Sequence, residues 1–294
     1  MRSPLLASFT AALAGTLSAL LLAGCTSRDR GASPPPEFRQ PSFKRIVIVV
    51  LENENESNAI DQPFMKSLAA RGAYLGSYQA ITHPSQPNYI AMVAGDLHGV
   101  LDDGNVDLDV RHLGDLLEAK GLRWKVYAEG YPGKCRLDAR IGLYVRKHVP
   151  LISFKNVQSD RARCANIVDA SEIFDDIAAG TLPEYALFIP DINNDGHDTG
   201  VEFADRWLEA TFGPLLNDPR FMKDMLFVVT FDESRRFGGN QIYTAFYGDS
   251  VIAGSISDHP WNHYSLLRTI EESFHLGTLG LNDQSADPIS GIWR

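Results

Sequence analysis

The chain is poor in cysteine and in positive charge. Its 294 residues include three cysteines, Cys25, Cys135 and Cys164. With Cys25 set aside, these allow at most one internal disulfide. Lysine and arginine total 27 against 37 aspartates and glutamates, a formal net charge of −10. That balance excludes a general nucleic-acid binder, which needs a basic face, so no nucleic-acid partner is expected. It does not exclude a phosphate-ester ligand, but a site for one would have to bring its own positive charge, most simply a metal ion. Internal repeats and a second low-complexity linker are also lacking, which favours one large domain.

What is present begins with a leader. Met1-Arg2 gives a positive start, an apolar run extends from Leu5 to Leu22, and Leu22-Ala23-Gly24-Cys25 closes it. The pattern reads as a secretory signal. It resembles a bacterial lipoprotein signal, which implies cleavage before Cys25 and a diacylglycerol on its sulfur. Residues 1–24 are then a signal peptide, 25–42 a flexible tether containing Pro34-Pro35-Pro36, and 43–294 the folded domain. The expected location is outside the cytoplasm, lipid-anchored to a bacterial membrane. Thr26 is not the aspartate that often retains lipoproteins at an inner membrane. With Cys25 lipidated, an exported protein is left with Cys135 and Cys164. They read as a disulfide, with two buried free thiols as the alternative.

Three apolar runs, the first of them β-branched, read as strands, and each is followed by oxygen-bearing side chains. Ile46–Leu51 runs into Glu52-Asn53, Tyr185–Ile189 into Pro190-Asp191, and Met225–Phe231 into Asp232-Glu233. Further strands are expected over 124–129 and 241–246, and helices over 63–71, 112–119, 170–179, from about 203 to 212, and 263–274. Residues 54–57 read as a loop. Alternating strands and helices predict an α/β fold with a central, mostly parallel sheet flanked by helices on both faces. A parallel sheet brings the three acidic clusters to one edge, where such folds bind ligands. Converging carboxylates repel unless a cation lies among them.

Thr82-His83-Pro84-Ser85-Gln86-Pro87-Asn88-Tyr89 supplies a nucleophile. Pro87 suits the first position of a helix that continues to Ala94 and stops at Gly95. Ser85 then stands just ahead of free N–H groups and a positive dipole end, a site for an anion. It reads equally as a helix cap.

Six motifs in order raise the nucleophile above the cap. They are Leu51-Glu52-Asn53, His83–Tyr89, Lys147-His148-Val149-Pro150, Asn194-Asp195-Gly196-His197-Asp198, Thr230-Phe231-Asp232-Glu233-Ser234 and Asn262–Thr269. Together they resemble the phosphoesterase family of bacterial acid phosphatases and phosphocholine-type phospholipases C, in the alkaline-phosphatase-like superfamily. The resemblance covers nearly the whole domain and implies that fold. It implies a divalent metal held by Glu52, Asn53, Ser85, Asp232 and Glu233, with Ser85 also the attacking group. Asn88 would hold a phosphoryl oxygen. Two-metal members of the superfamily carry a late Asp-His-Gly where this chain has Asp232-Glu233-Ser234, so one metal is expected. Its identity stays open among Mg, Ca, Mn and Zn.

Positive charge in place of a second metal would come from His148, His197, Lys147 or Arg235. His197 and His148 are the candidate acids for the leaving group. Lys147 and His263 are candidate substrate contacts. His83 lies close to Ser85 in sequence, with a solvent-facing position as the alternative, and His98, His112, His259 and His275 read as surface or cap residues. The expected activity is hydrolysis of a small phosphate monoester through a phosphoserine. A phosphodiesterase or phospholipase C is the alternative enzyme, and a lipid-anchored binding protein without turnover the alternative from another class.

Overall fold

The strand Arg45–Leu51 (β1) is the centre of the molecule. Its isoleucines and valines are buried on both sides, which a strand tolerates only with neighbours on both edges and cover on both faces. The computed structural model describes Met1, residues 36–235 and residues 239–294. Nine further strands follow among them: Ala73–Leu75 (β2), Trp124–Ala128 (β3), Arg140–Ile141 (β4), Tyr144–Val145 (β5), Ile167–Asp169 (β6), Tyr185–Ile189 (β7), Met225–Phe231 (β8), Thr244–Tyr247 (β9) and Ser255–Ser257 (β10). Eight form one sheet in the order β10-β2-β9-β8-β1-β7-β3-β6, and β4 pairs with β5 in a small hairpin.

The block β8-β1-β7-β3-β6 is wholly parallel, with Val49 opposite Phe188 on one side and Val229 on the other. β9 runs antiparallel to β8 and to β2, while β10 is parallel to β2. Helices flank the sheet. Pro63–Arg71 packs on β2, β9 and the long helix Val201–Leu216, and Ser85–Ala94 packs against His263–Ser273. The mostly parallel α/β sheet expected from the sequence is the architecture found. None of the described helices is long and apolar enough to cross a membrane.

Local details depart from expectation for identifiable reasons. β2 and β10 are three residues each, too short for an alternation to register. The expected 241–246 strand begins at Thr244, since Gln241 makes only an isolated bridge to Gln79. Glu56–Ala59 forms one helical turn where a loop was expected. Residues 36–42, expected to be tether, meet the domain: Gln40 Nε2 donates to the main-chain oxygens of Glu272 and Ser273 at 3.1 and 3.0 Å, and Phe38 packs on the core. Cys25 and the leader lie outside the described residues. A disulfide joins Cys135 to Cys164, whose Cα atoms are 5.7 Å apart.

Candidate active site

The parallel pairing of β8, β1 and β7 brings their C-terminal ends to one edge. Main-chain bonds fix the chain just beyond them. Asp232 N–H donates to Leu51 O at 3.0 Å, and Glu52 N–H donates to Asp195 O at 3.0 Å. Asn53 has φ +48°, a left-handed conformation that asparagine adopts more readily than most residues. This turns the chain out of β1 so that Asn53 N–H donates to Asp232 Oδ1 at 3.2 Å.

Ser85 faces this group from the start of its helix. The helix runs Ser85–Ala94 and is closed by Gly95 in the left-handed region (φ +71°). The start falls two residues earlier than expected: Ser85 is the first helical residue and Pro87 the third. The cap position is Pro84, and no side chain caps there. The Ser85 hydroxyl points instead to Glu52 Oε2 at 3.0 Å, with Asn53 Oδ1 and Glu233 Oε1 at 3.4 Å. A hydroxyl has one proton to give, so these oxygens share it. Ser85 is 1% exposed and Asp232 is fully buried.

Glu52 has a second set of partners on its other oxygen. Tyr89 O–H donates to Oε1 at 2.5 Å, and His148 Nε2 lies 3.3 Å from it. The other ring nitrogen of His148 is 3.4 Å from Asp195 Oδ2, and the ring stacks on Tyr89 with centroids 5.3 Å apart. Neither nitrogen is in hydrogen-bonding geometry. Both are buried without a partner among the described residues, as are Asp195 Oδ2 and Asp232 Oδ2. Buried polar atoms of this kind call for a ligand or a proton.

The electrostatics agree. Burial raises the Glu52 carboxyl well above its ordinary range, and the charges of Asp232 and Asp195 add to this. Asp232 is raised by burial and by Glu233. Asp195 is pushed up to about 8, mainly by burial. His148 is pushed down by burial and by Lys147. Acidic groups that resist ionising and a histidine that stays neutral fit a bound cation, which would draw the carboxyls into their ionised form and keep the imidazole unprotonated. The buried group Glu52, His148 and Asp195 could hold a metal ion. The oxygens of Glu52, Asn53, Ser85, Asp232 and Glu233 form an adjoining donor set that shares Glu52. Carboxylate, amide and hydroxyl oxygens suit a hard divalent ion, and imidazole also admits zinc.

A cleft of about 410 Å³ opens over this group, lined by Asn53, His83, Pro84, Glu233 and Ser234. A larger one, about 640 Å³, lies at the other end of the strands beside Arg45 and Met225 and contains none of these side chains. At the cleft His83 Nδ1 meets Glu233 Oε2 at 2.7 Å, with the histidine one-third exposed. Of its two readings, closeness to Ser85 is the one this contact follows. Lys147 Nζ donates to Asp103 Oδ2 at 2.8 Å. Burial acts to lower the ammonium's pKa, and the Asp103 bond with the Glu52 charge outweighs it, so the net shift is upward. His197 is exposed, with Nδ1 bonded to Asp198 Oδ1 at 2.7 Å and its ring centre 6.5 Å from that of His148.

Other expectations are corrected. Asn88 has no amide edge left for substrate. Its Oδ1 accepts from Ile81 and Thr82 N–H (2.9 and 3.1 Å), and its Nδ2 donates to Thr82 and Pro84 oxygens (2.9 and 3.1 Å). It shapes the loop before Ser85. His263 is fully buried and uses both nitrogens, Nε2 on Asp232 O at 2.7 Å and Nδ1 near Tyr78 O–H at 3.3 Å. Burial lowers its pKa to about 4, so it is neutral and supports Asp232 from behind. His148 is fully buried and cannot reach a leaving group from between Glu52 and Asp195. Arg235 pairs with buried Glu54 at 2.9 Å instead of adding charge to the site. Asp191 accepts from Asn193 and Asn194 N–H and caps its own turn, so Asp195 is the carboxylate that reaches inward. His112 caps the helix Leu113–Ala119, in line with its cap reading.

The fold and this edge define an α/β protein with a serine facing an acidic sheet edge, and comparison with known proteins gives its family. The model of the Phosphoesterase family matches residues 55–277, and the chain belongs to that family. It is 36% identical over 259 residues to a probable acid phosphatase of Kluyveromyces lactis, covering 84% of this chain and 62% of that protein. It thus spans about three fifths of that fungal relative's length. It is 33% identical to a phosphatidylinositol-3-phosphatase of Mycobacterium tuberculosis, covering 96% of this chain and 93% of the relative. Among solved structures, an alkaline phosphatase superfamily protein of Vibrio parahaemolyticus superposes with a TM-score of 0.60 at 13% identity, over 86% of this chain and 72% of the other.

Proposed function

We propose that this protein hydrolyses phosphate monoesters, with Ser85 as the attacking group. The observation that carries the reading is the Ser85 hydroxyl at a helix start, 3.0 Å from Glu52 Oε2 and facing Asn53 and Glu233. Glu52, within hydrogen-bond reach, takes the hydroxyl proton as the oxygen attacks phosphorus. The N–H groups of the helix start and the Lys147 ammonium hold the non-bridging oxygens, the kind of stabilisation on which phosphoryl transfer mostly depends. His197 protonates the leaving oxygen. Asp198 holds its Nδ1, which leaves Nε2 to carry the proton. Water then cleaves the phosphoserine.

One divalent ion, held by Glu52, Asn53, Ser85, Asp232 and Glu233, would lower the hydroxyl's pKa and offset phosphoryl charge when bound. Asn53 suits this role because its amide oxygen already faces Glu52, Asp232 and Glu233 at 3.1–3.2 Å. Turned about, the amide nitrogen shares its two N–H groups among the three carboxylates and holds the group together without a cation. His148 and Asp195 brace the far side of Glu52.

The Mycobacterium relative, matched over nearly its full length, favours a phosphate on a lipid headgroup as the substrate class. Lipidation at Cys25 would keep the protein at such a surface. Mass spectrometry of the mature N-terminus tests the anchor, and a free Cys25 thiol there would exclude it. The test of the chemistry is a burst with an aryl phosphate together with phosphate found on Ser85. Full turnover by Ser85→Ala would refute the mechanism.

A further inference from the structure

We propose that Asp103 is a built-in competitor for phosphate, seated where a phosphoryl group must bind. The inference rests on the reading of Ser85 as nucleophile and adds a residue that sets how tightly substrate and product are held.

Asp103 Oδ1 accepts from Gln86 N–H at 3.0 Å, and its Oδ2 accepts from Lys147 Nζ at 2.8 Å. Gln86 follows the nucleophile directly. The first N–H groups of a helix lack intrahelical acceptors, and Pro87 contributes none. Ser85 and Gln86 therefore supply the only two N–H donors in the first three positions of this helix. Asp103 occupies one of them and also the cation nearest to it. A carboxylate and a phosphate dianion both only accept hydrogen bonds, so they compete for the single Gln86 N–H, while the Lys147 ammonium has further N–H groups to give. The Asp103 charge also reaches Glu233. Binding a phosphoryl group at Gln86 N–H requires Asp103 to withdraw from that donor.

The loop allows withdrawal. Residues 101–105 are exposed and lie between buried Val100 and a segment tied down at Val106 and Asp107 by Arg146. Asp102 Oδ1 accepts from Gly104 N–H, which keeps the turn that presents Asp103 compact. Among the described residues, the Asp103 carboxylate makes the only hydrogen bonds from residues 101–105 to the rest of the chain. Retraction breaks two bonds and exposes no core. A site that must release inorganic phosphate gains from a carboxylate waiting to replace it.

The test measures inhibition by inorganic phosphate, KM for an aryl phosphate and kcat in the full chain, for wild type, Asp103→Ala, Asp103→Asn and Asp103→Glu, with metal content checked in each. Loss of the competing charge is expected to lower the inhibition constant for phosphate about tenfold in the Ala variant, with KM falling in parallel. The Asn variant lies between, and Glu restores much of the competition. Calorimetry of inorganic phosphate on Ser85→Ala with and without Asp103→Ala reads the same change without turnover. An inhibition constant that is unchanged or raised, with phosphate still found on Ser85, overturns the proposal and leaves the nucleophile standing. Absence of phosphoserine in wild type and variants alike overturns the nucleophile, and the proposal with it.

Discussion

Glu271 offers the sharpest test of how electrostatics and the site are linked. It lies on the helix His263–Ser273, 1% exposed, and neither carboxyl oxygen has a partner that meets hydrogen-bond geometry. Burial and the neighbouring Asp283 push its carboxyl up to about 9 from an ordinary 4.5. Asp283 is held by Leu279 and Leu281 N–H at 2.6 and 2.9 Å and lies against Gly95, the residue that ends the Ser85 helix. The pair thus buttresses the far end of the nucleophile helix. The folded state keeps a proton on Glu271 that the unfolded chain releases above about pH 4.5. Stability from this group is full below that pH, declines as pH rises, and is lost by about pH 9. Each pH unit inside that window is worth about 1.4 kcal/mol, so the loss between pH 5 and 7 is about 3 kcal/mol at most. Glu271→Gln keeps the shape and removes the titration. Urea unfolding of both proteins from pH 5 to 7.5 should give curves that converge at pH 5 and separate by up to about 3 kcal/mol at pH 7, with the variant the more stable. Parallel curves would refute the account, because any other titrating group is common to both proteins.

Further outcomes follow from the site. Asn88→Ala strips the loop before Ser85 of four hydrogen bonds; it should cost about 2–4 kcal/mol of stability and lower kcat, and equal thermal stability in wild type and variant would contradict the positioning role. His197→Gln should lower turnover of an alkyl phosphate about a hundredfold and of a nitrophenyl phosphate far less, since a good leaving group needs no proton; equal losses on both substrates count against His197 as the acid. Chelation should abolish activity and metal add-back restore it, while His148→Gln weakens metal retention in equilibrium dialysis about tenfold or more; unchanged retention would separate His148 from the metal.

The sheet was legible because its central strands are long, apolar and β-branched. Arg45–Leu51 and Met225–Phe231 are too short for a buried helix and rich in β-branched residues, which favours strands, and a parallel sheet then fixes which ends meet. The three-residue edge strands carry no period long enough to read. In the site, adjacency to a strand end made Glu52, Asn53, Asp232 and Glu233 readable. Asp195 was harder, because Asp191 follows β7 more closely and looks like the strand-end acid until its carboxylate is seen capping its own turn. His83, Tyr89 and Asp103 join the site through tertiary contacts at 2.7, 2.5 and 3.0 Å. Pattern gives no direction for an isolated histidine, a helical tyrosine or an acid in a polar loop. The same limit explains the errors at Asn88 and His263: residue type announces a polar role, but only the partners say whether it is spent on substrate or on backbone.

The apparent rivalry between cap and nucleophile at Ser85 dissolves in the same way. A capping serine turns its oxygen back to accept from its own helix, and that use would hide it from a substrate. Here the cap position falls to Pro84, and the preceding loop is held by Asn88 instead. The far end of the helix is held at Gly95, whose oxygen accepts from Asn282 N–H and from the Asn282 side chain, both at 3.0 Å. With both ends fixed by other residues, the Ser85 hydroxyl is free to serve the acidic edge of the sheet. One N–H of the helix start is free only when Asp103 leaves it. Attack and anion binding are thus supplied by adjacent residues, Ser85 and Gln86, and the loop 101–105 decides when the second is available.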